Sequence, residues 1–338
     1  MTELVEPDFL KLPWHELGFM DERYADGSEA RLHFAQCNAA KGGSLPTIVF
    51  MHGVLRDWRS FYPLLFSLRG RANLVSFDFR GHGRSDPTPG AYRVINYVED
   101  AVRLIESLTN QVILYGHSLG AMVALATAAQ IPERIQTTIL EDPPFSTMGS
   151  RLRGTPLMRY FESVEALVRN ETLPEKGSDP LEATQSQAAF VVAGEGQTPF
   201  PAANAEARIH RLFDEFSNIA VATRPDGSII RVRDQRDLVS RRFSAEGLAK
   251  VDPEVLVPVT AGQWLDGYDL DSLLPLIKSK VVLLRADNAC GGMLTSDEAD
   301  HISRGLDGVC EQIYFTGVGH SMHWVKPMEI TEIVMRQF

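Results

Sequence analysis

Apolar runs too short to be helices recur along the chain: TIVFMHG (47–53), ANLVSFDF (72–79), QVILYGHS (111–118) and TTILED (137–142). Each is bounded by turn residues, as strands buried on both faces of a sheet are. Between them lie helix-like stretches, DWRSFYPLLFSLRG, VINYVEDAVRLIESL and the Ala-rich GAMVALATAAQ. Strand and helix alternating at this spacing leaves room for crossover connections, so the order predicts a parallel sheet with helices on both faces. The alternation resumes near the end with KVVLLRA (280–286), a helix about SDEADHISRGL, then EQIYFTG (311–317) and a last helix after Trp324. One sheet is therefore expected to draw strands from both ends of the chain.

Between Asp142 and Lys280 strand signals nearly vanish, and charge-rich helical pieces take over: PLMRYFESVEALVRN, ANAEARIHRLFDEFSNIAVA and DQRDLVSRRFSAEGLAKV. Polar linkers with Pro and Gly, LPEKGSDP and AGEGQTPFP, separate them. This pattern predicts two parts of one α/β core, 1–144 and 259–338, interrupted by a helical cap over 145–258. An independent second domain is the alternative, but strands on both sides favour an excursion from one sheet.

Composition narrows the function. A net charge of −11 and no basic stripe argue against a nucleic-acid partner. No run of apolar residues is long enough for a membrane span, and the first twenty residues lack the basic start and apolar stretch of a signal peptide. A cytoplasmic protein is expected. Cys37, Cys290 and Cys310 are odd in number and show no CxxC spacing, which suits reduced thiols better than a disulfide framework or a zinc site.

The triplet Gly-His-Ser occurs twice, in YGHSLG (115–120) and in VGHSMH (318–323). The first copy follows an apolar strand and opens a helix. A strand that turns sharply into a helix needs small residues at the bend, and Gly116 and Gly120 flank Ser118 there. The helix N-terminus then aims free amide groups toward the serine, a setting that favours negative charge. An ordinary tight turn is the bland reading, and the context favours a nucleophile. In FDFRGHGRSD (77–86) the glycines lack the GxGxxG spacing of a dinucleotide site, so Arg80, Arg84 and Asp86 are expected to brace a turn.

Taken in order, MHG (51–53), FDFRGHGRSD (77–86), GHSLG (116–120) and GHS (319–321) make the chain resemble the α/β-hydrolase superfamily over nearly its whole length outside the cap. The resemblance implies the α/β-hydrolase fold, a mostly parallel central sheet flanked by helices, with a nucleophile, an acid and a histidine at the strand ends and a cap shaping the pocket. It implies no cofactor. Ser118 stands at the nucleophile position, so the chain looks like an esterase, and epoxide hydrolases and haloalkane dehalogenases, which need a carboxylate there, are disfavoured. His320 lies where the family places its histidine. Its task is to take the serine proton and return it to the leaving group.

His323 is the competitor and is expected in or near the final helix as a packing or pocket residue. His117 should point away from Ser118, while His52 and His82 sit in loops that the family uses structurally, with a place at the border of the oxyanion site left open for His52. The spacing of His320 and His323 hints at a metal, but no matching acidic or thiol set completes a zinc site. The family's usual acid position after the penultimate strand falls on Ala289. Three carboxylates stay open: Asp142, 24 residues after Ser118 and favoured, then Asp287, then Glu141. Strand alternation lets only one of Glu141 and Asp142 face the histidine. The resemblance also implies an oxyanion hole of two backbone amides, Leu119 and Val54. Trp58 and Phe61 either line the pocket or pack the first helix.

These readings predict a serine hydrolase that cleaves a carboxylic ester or lactone of moderately apolar character through an acyl-enzyme. Carbon–carbon bond hydrolysis or other chemistry of the superfamily is the alternative, and a ligand-binding or receptor protein of this fold is the alternative from another class.

Overall fold

The computed structural model describes residues 14–15, 18–39, 45–145, 147–149, 152–169, 202–223, 226–236 and 238–338. The two linkers noted above, at 173–180 and 193–201, lie outside these residues. In chain order the strands are β1 (Met20–Asp26), β2 (Arg31–Cys37), β3 (Thr47–Met51), β4 (Asn73–Phe77), β5 (Val112–His117), β6 (Ile135–Glu141), β7 (Ala220–Thr223), β8 (Ile229–Arg231), β9 (Lys280–Ala286) and β10 (Cys310–Phe315). Eight of them form one sheet in the order β1-β2-β4-β3-β5-β6-β9-β10, and β7 with β8 forms a separate hairpin. All neighbours from β4 to β10 are parallel. The pairs β1–β2 and β2–β4 are antiparallel.

Every apolar run noted in the sequence became a strand of this sheet. The antiparallel pair β1–β2 was not among them. Its outer member, MDERYAD, is mostly polar, as suits an edge that must not recruit another chain. The hairpin β7–β8 likewise interrupts a stretch that reads as helical.

Strand alternation divides the interior in two. Ile48, Phe50, Ile113, Tyr115, Val282 and Leu284 point to one face, where the helices Tyr62–Leu68 and Pro327–Met335 cover them. Val49, Met51, Leu114, Val281 and Leu283 point to the other, beneath the helices Val94–Glu106 and Leu119–Gln130. The second of these helices is buried along nearly its whole length, which its Ala-rich sequence permits.

Between β6 and β9 the chain leaves the sheet to form helices Pro156–Arg169, Ala202–Asn218 and Leu238–Leu248, with β7 and β8 between the last two. Because β5, β6 and β9 are parallel and in register, with His117 beside Glu141 and Glu141 beside Leu284, their carboxyl ends form one row. Loops leaving that row must converge, which is where open α/β sheets bind ligands. Among the described residues no helix is long and apolar enough to cross a membrane.

Candidate active site

Ser118 is the residue between β5 and the helix Leu119–Gln130, with φ 56° and ψ −119°. A non-glycine residue held there costs about 1–3 kcal/mol, which the surroundings must offset. They do so by close approach. A Cβ on Gly116 would lie 2.2 Å from the Gly120 carbonyl oxygen, and one on Gly120 would lie 1.9 Å from that of Met51. Both positions therefore exclude a side chain. The Ser118 N–H donates to the Glu141 carbonyl at 2.9 Å, tying the bend to β6. Ser118 is 6% exposed, and that opening faces a cavity of about 880 Å³.

His320 lines the same cavity, and its Nδ1 lies 2.6 Å from Asp142 Oδ2. Asp142 has no exposed surface, whereas the His320 side chain is 21% exposed. Two backbone N–H groups complete the carboxylate's shell, Met293 at 2.8 Å to Oδ2 and Leu294 at 3.1 Å to Oδ1. The acid is thus dry and saturated, and the ring nitrogen it leaves unengaged, Nε2, belongs to a residue of the cavity wall. Among the described residues Ser118 Oγ has no hydrogen-bond partner; such contacts commonly tighten only once substrate is bound.

The other two carboxylates left open by the sequence are engaged elsewhere. Asp287 accepts from the Gly317 N–H at 2.8 Å and from the Ala289 N–H at 2.9 Å, so it braces the loop that carries His320 and caps a short turn. Those donors hold its carboxyl below the usual range. Glu141 meets His323: its two oxygens lie 2.9 and 2.8 Å from the imidazole Nδ1, and one also accepts from the His323 N–H. The Tyr115 hydroxyl donates to the other at 2.7 Å. The position of His323, buried in the short helix Met322–Val325, matches a packing residue, but its pairing with Glu141 had no signal in the sequence.

His117 bridges the two pairs. Its Nε2 donates to the His320 carbonyl at 3.0 Å, and its ring stands 4.6 Å from that of His320 and 4.9 Å from that of His323. Burial, then its two imidazole neighbours, hold it well below the ordinary histidine range. It is therefore neutral near pH 7. His117, Glu141 and His323 bring ligand-type atoms within 4.8 Å of one another. The hydrogen bonds already on Glu141 and His117 account for that closeness without a metal.

The loop after β3 supplies the facing wall. Leu55 has φ 66°, and its N–H donates to His82 Nε2 at 3.1 Å. His82 Nδ1 in turn donates to the Arg80 carbonyl. His52 does the same between the Gly53 carbonyl and the Phe79 N–H. Both rings staple backbone to backbone, the structural work foreseen for them. Burial pushes His82 down to about 3 and lowers His52 as well. Val54 lines the cavity beside Gly53, and among the described residues neither its N–H nor that of Leu119 has a partner. Trp58 and Phe61 are buried among aromatic rings and lie outside the cavity wall, so they pack the first helix. Arg80 forks onto Asp100 at 2.6 and 2.8 Å, bracing as expected.

Residues 48–332 match the model of a family described as the alpha/beta hydrolase family. Over 138 residues, 38% of this chain and 50% of the relative, the sequence is 31% identical to 2-(acetamidomethylene)succinate hydrolase of Mesorhizobium japonicum. It is 30% identical over 138 residues to epoxide hydrolase 2 of Siraitia grosvenorii, 40% of this chain and 42% of that one. The chain thus spans about half the length of these relatives or less. The enol-lactonase of Burkholderia xenovorans superposes with a TM-score of 0.61 over 93% of this chain and 99% of its own, at 17% identity. That likeness is one of fold.

Proposed function

The chain belongs to the alpha/beta hydrolase family, and from that premise we propose that it is a serine hydrolase acting on a carboxylic ester or lactone. What supports the reading is that Ser118, raised on a strained bend, lines the same cavity as a histidine whose Nδ1 is held by a buried carboxylate. Ser118 Oγ attacks the acyl carbon while His320 Nε2 takes its proton. The oxygen gains negative charge, which the free N–H groups of Val54 and Leu119 are suited to receive, each such donor supporting about 2.7–4 kcal/mol of transition-state stabilisation. The carbon–oxygen bond breaks, the leaving alkoxide takes the proton from His320, and the acyl group stays on Ser118. Water then repeats the sequence and frees the acid. Asp142 holds the ring in the tautomer that presents Nε2 and stabilises it when charged.

The epoxide hydrolase relative does not bring its reaction to this chain. Attack by Ser118 on an epoxide carbon would leave an ether, which water cannot release as it releases an ester. The helices between β6 and β9 supply part of the cavity wall and serve as the cap. Amide hydrolysis at the same serine is the second reading, since the Mesorhizobium relative is named for an acetamido compound.

A fluorophosphonate probe tests the proposal. Folded protein should label stoichiometrically at Ser118, and Ser118→Ala should not label. Folded wild-type protein that stays unlabelled would favour the binding-protein alternative.

A further inference from the structure

Two guanidinium groups share one wall of the cavity that contains Ser118. Arg56 comes from the loop after β3 and Arg236 from the segment before the helix Leu238–Leu248. They converge on a single hydroxyl: Arg56 Nη1 donates to Ser244 Oγ at 2.7 Å, and Arg236 Nη1 reaches the same oxygen at 3.4 Å. Ser244 spends its own proton on the Ser240 carbonyl. Like charges are thus drawn together around one neutral oxygen.

What they meet nearby is partial: Asp57 favours the charged form of Arg56, and the Arg236 guanidinium lies 5.6 Å from the centroid of the Phe216 ring. Among the described residues no Asp or Glu lines the cavity, and neither guanidinium lies within ion-pair distance of a carboxylate. Asp57 adjoins Arg56 in sequence, but its oxygens are taken by Arg59, which also holds Glu246 at 2.8 Å, and Lys250 stands 3.9 Å from Asp57. That cluster of two carboxylates and two cations is neutral in itself, so Asp57 compensates Arg56 only in part. Burial, and then the neighbouring Arg236, push Arg56 down to about 10, so it stays charged near neutral pH. In a chain of net charge −11, two cations that have no ion-pair partner among the described residues, in the wall of the cavity that Ser118 faces, are a local reversal of sign. The rest of the wall includes Leu157, Phe161, Phe216 and Leu248.

We infer that Arg56 and Arg236 form an anion subsite, and that the substrate carries a carboxylate or phosphate group on an apolar body, away from the bond that Ser118 attacks. Guanidinium forks match the oxygens of such groups and keep much of that strength where water is scarce. An anion between them would also relieve their mutual repulsion. The substrate class rests on the serine-hydrolase reading; the subsite itself does not.

The test compares 4-nitrophenyl hydrogen adipate with 4-nitrophenyl methyl adipate, which differ in one negative charge, and repeats this with the pimelate pair. Wild type should favour the acid in kcat/KM by tenfold or more in at least one pair. That ratio should fall at least tenfold in Arg56→Gln and in Arg236→Gln, recover in part in the Lys variants, and shrink as salt rises. Because the ratio is taken within one sample, partial loss of folded enzyme cancels from it. A wild-type ratio near one, or one unmoved in both Gln variants, overturns the subsite while leaving the hydrolase reading intact. Should no ester turn over and no probe label Ser118, calorimetry on the Ser118→Ala protein still decides. Monomethyl adipate or monomethyl phosphate binding at least tenfold tighter than dimethyl adipate supports the subsite and names its anion, and equal binding of all three refutes it.

Discussion

Glu141 and Asp142 are consecutive residues at the end of β6, yet their carboxylates hold different histidines. Glu141 meets His323 and Asp142 meets His320. The division follows from the strand: Glu141 is its last residue, and Asp142, at φ 46°, has already turned out of it. One histidine lies in the cavity wall and the other in the core behind it, with the His117 ring between.

Asp142→Asn should cut kcat/KM on a 4-nitrophenyl ester by about 10⁴-fold. Three donors converge on this carboxylate, so an amide must place its own N–H against one of them, and the imidazole loses its preferred tautomer. Asp287→Asn disturbs only the bracing of a loop and should stay within roughly tenfold of wild type. Steady-state kinetics on the two variants rank the carboxylates; the opposite order would remove Asp142 from the proposed triad.

Glu141→Gln leaves the Tyr115 hydroxyl and the His323 Nδ1 and N–H competing for one carbonyl oxygen. Stranding a buried polar group costs about 1–3 kcal/mol, and urea denaturation should register a loss of that size. Fluorophosphonate labelling of the folded variant should persist, because the contact between His320 and Asp142 is untouched. A variant as stable as wild type would mean that the Glu141 pair contributes nothing to the core.

How much of this was written in the sequence depends on how local each feature is. Ser118 is announced by its own flanking glycines, and His320 by a glycine-rich loop that ends the last strand run. The acid was narrowed only to three, because strand pleat and loop path together decide which carboxylate reaches an imidazole 178 residues away. The pairing of His323 with Glu141 and the convergence of Arg56 with Arg236 had no local mark at all. Each joins residues from separate excursions, and an arginine in a charge-rich helical stretch looks like any solvated one. The strands β1 and β2 escaped notice because neither carries an unbroken apolar run: β1 lies at the edge and is mostly polar, while β2, RLHFAQC, is paired on both sides and largely buried but mixes polar residues among its apolar ones.

Acid should unfold the protein through its buried histidines. His82, at about 3, and His52 and His117, also lowered, are neutral in the fold, while the same groups in an unfolded chain titrate near their ordinary value of about 6.5. Below that pH the unfolded state binds more protons, so stability is complete above it and falls as pH drops toward the folded-state values. Each such histidine contributes a slope of up to about 1.4 kcal/mol per pH unit. Urea midpoints measured from pH 7.5 to 4.5 should decline, and His82→Gln should decline less steeply. A flat wild-type profile over that range would contradict the buried, neutral assignment.

Arg80 is fully buried and forks onto Asp100 of the helix Val94–Glu106, with Ser28 accepting from the same guanidinium. Removing one member of a buried pair strands the other charge, so Arg80→Ala should cost about 3–5 kcal/mol in chemical denaturation. In Arg80→Ala/Asp100→Ala no stranded charge remains, and part of the loss should return. Strictly additive losses in the double variant would show that the pair is not coupled.

Gly120→Ala separates the bend from the rest of the fold. The new methyl would meet the Met51 and His52 carbonyl oxygens at 1.9 and 2.8 Å, and both belong to backbone that cannot rotate away. The start of the helix Leu119–Gln130 must therefore back off from β3, carrying Ser118 and the Leu119 N–H with it, while Val54 stays on the β3 side. Ala121→Gly, one residue further along the same buried helix, costs about 1 kcal/mol of helix propensity and adds no atom that β3 must make room for. Gly120→Ala should thus lose at least 10²-fold in kcat/KM per folded molecule, since a displacement near 1 Å is enough for a loss of that order. Ala121→Gly should keep most activity despite a lower urea midpoint. If Gly120→Ala folds and turns over normally, the tight approach of helix to β3 is not what positions the serine.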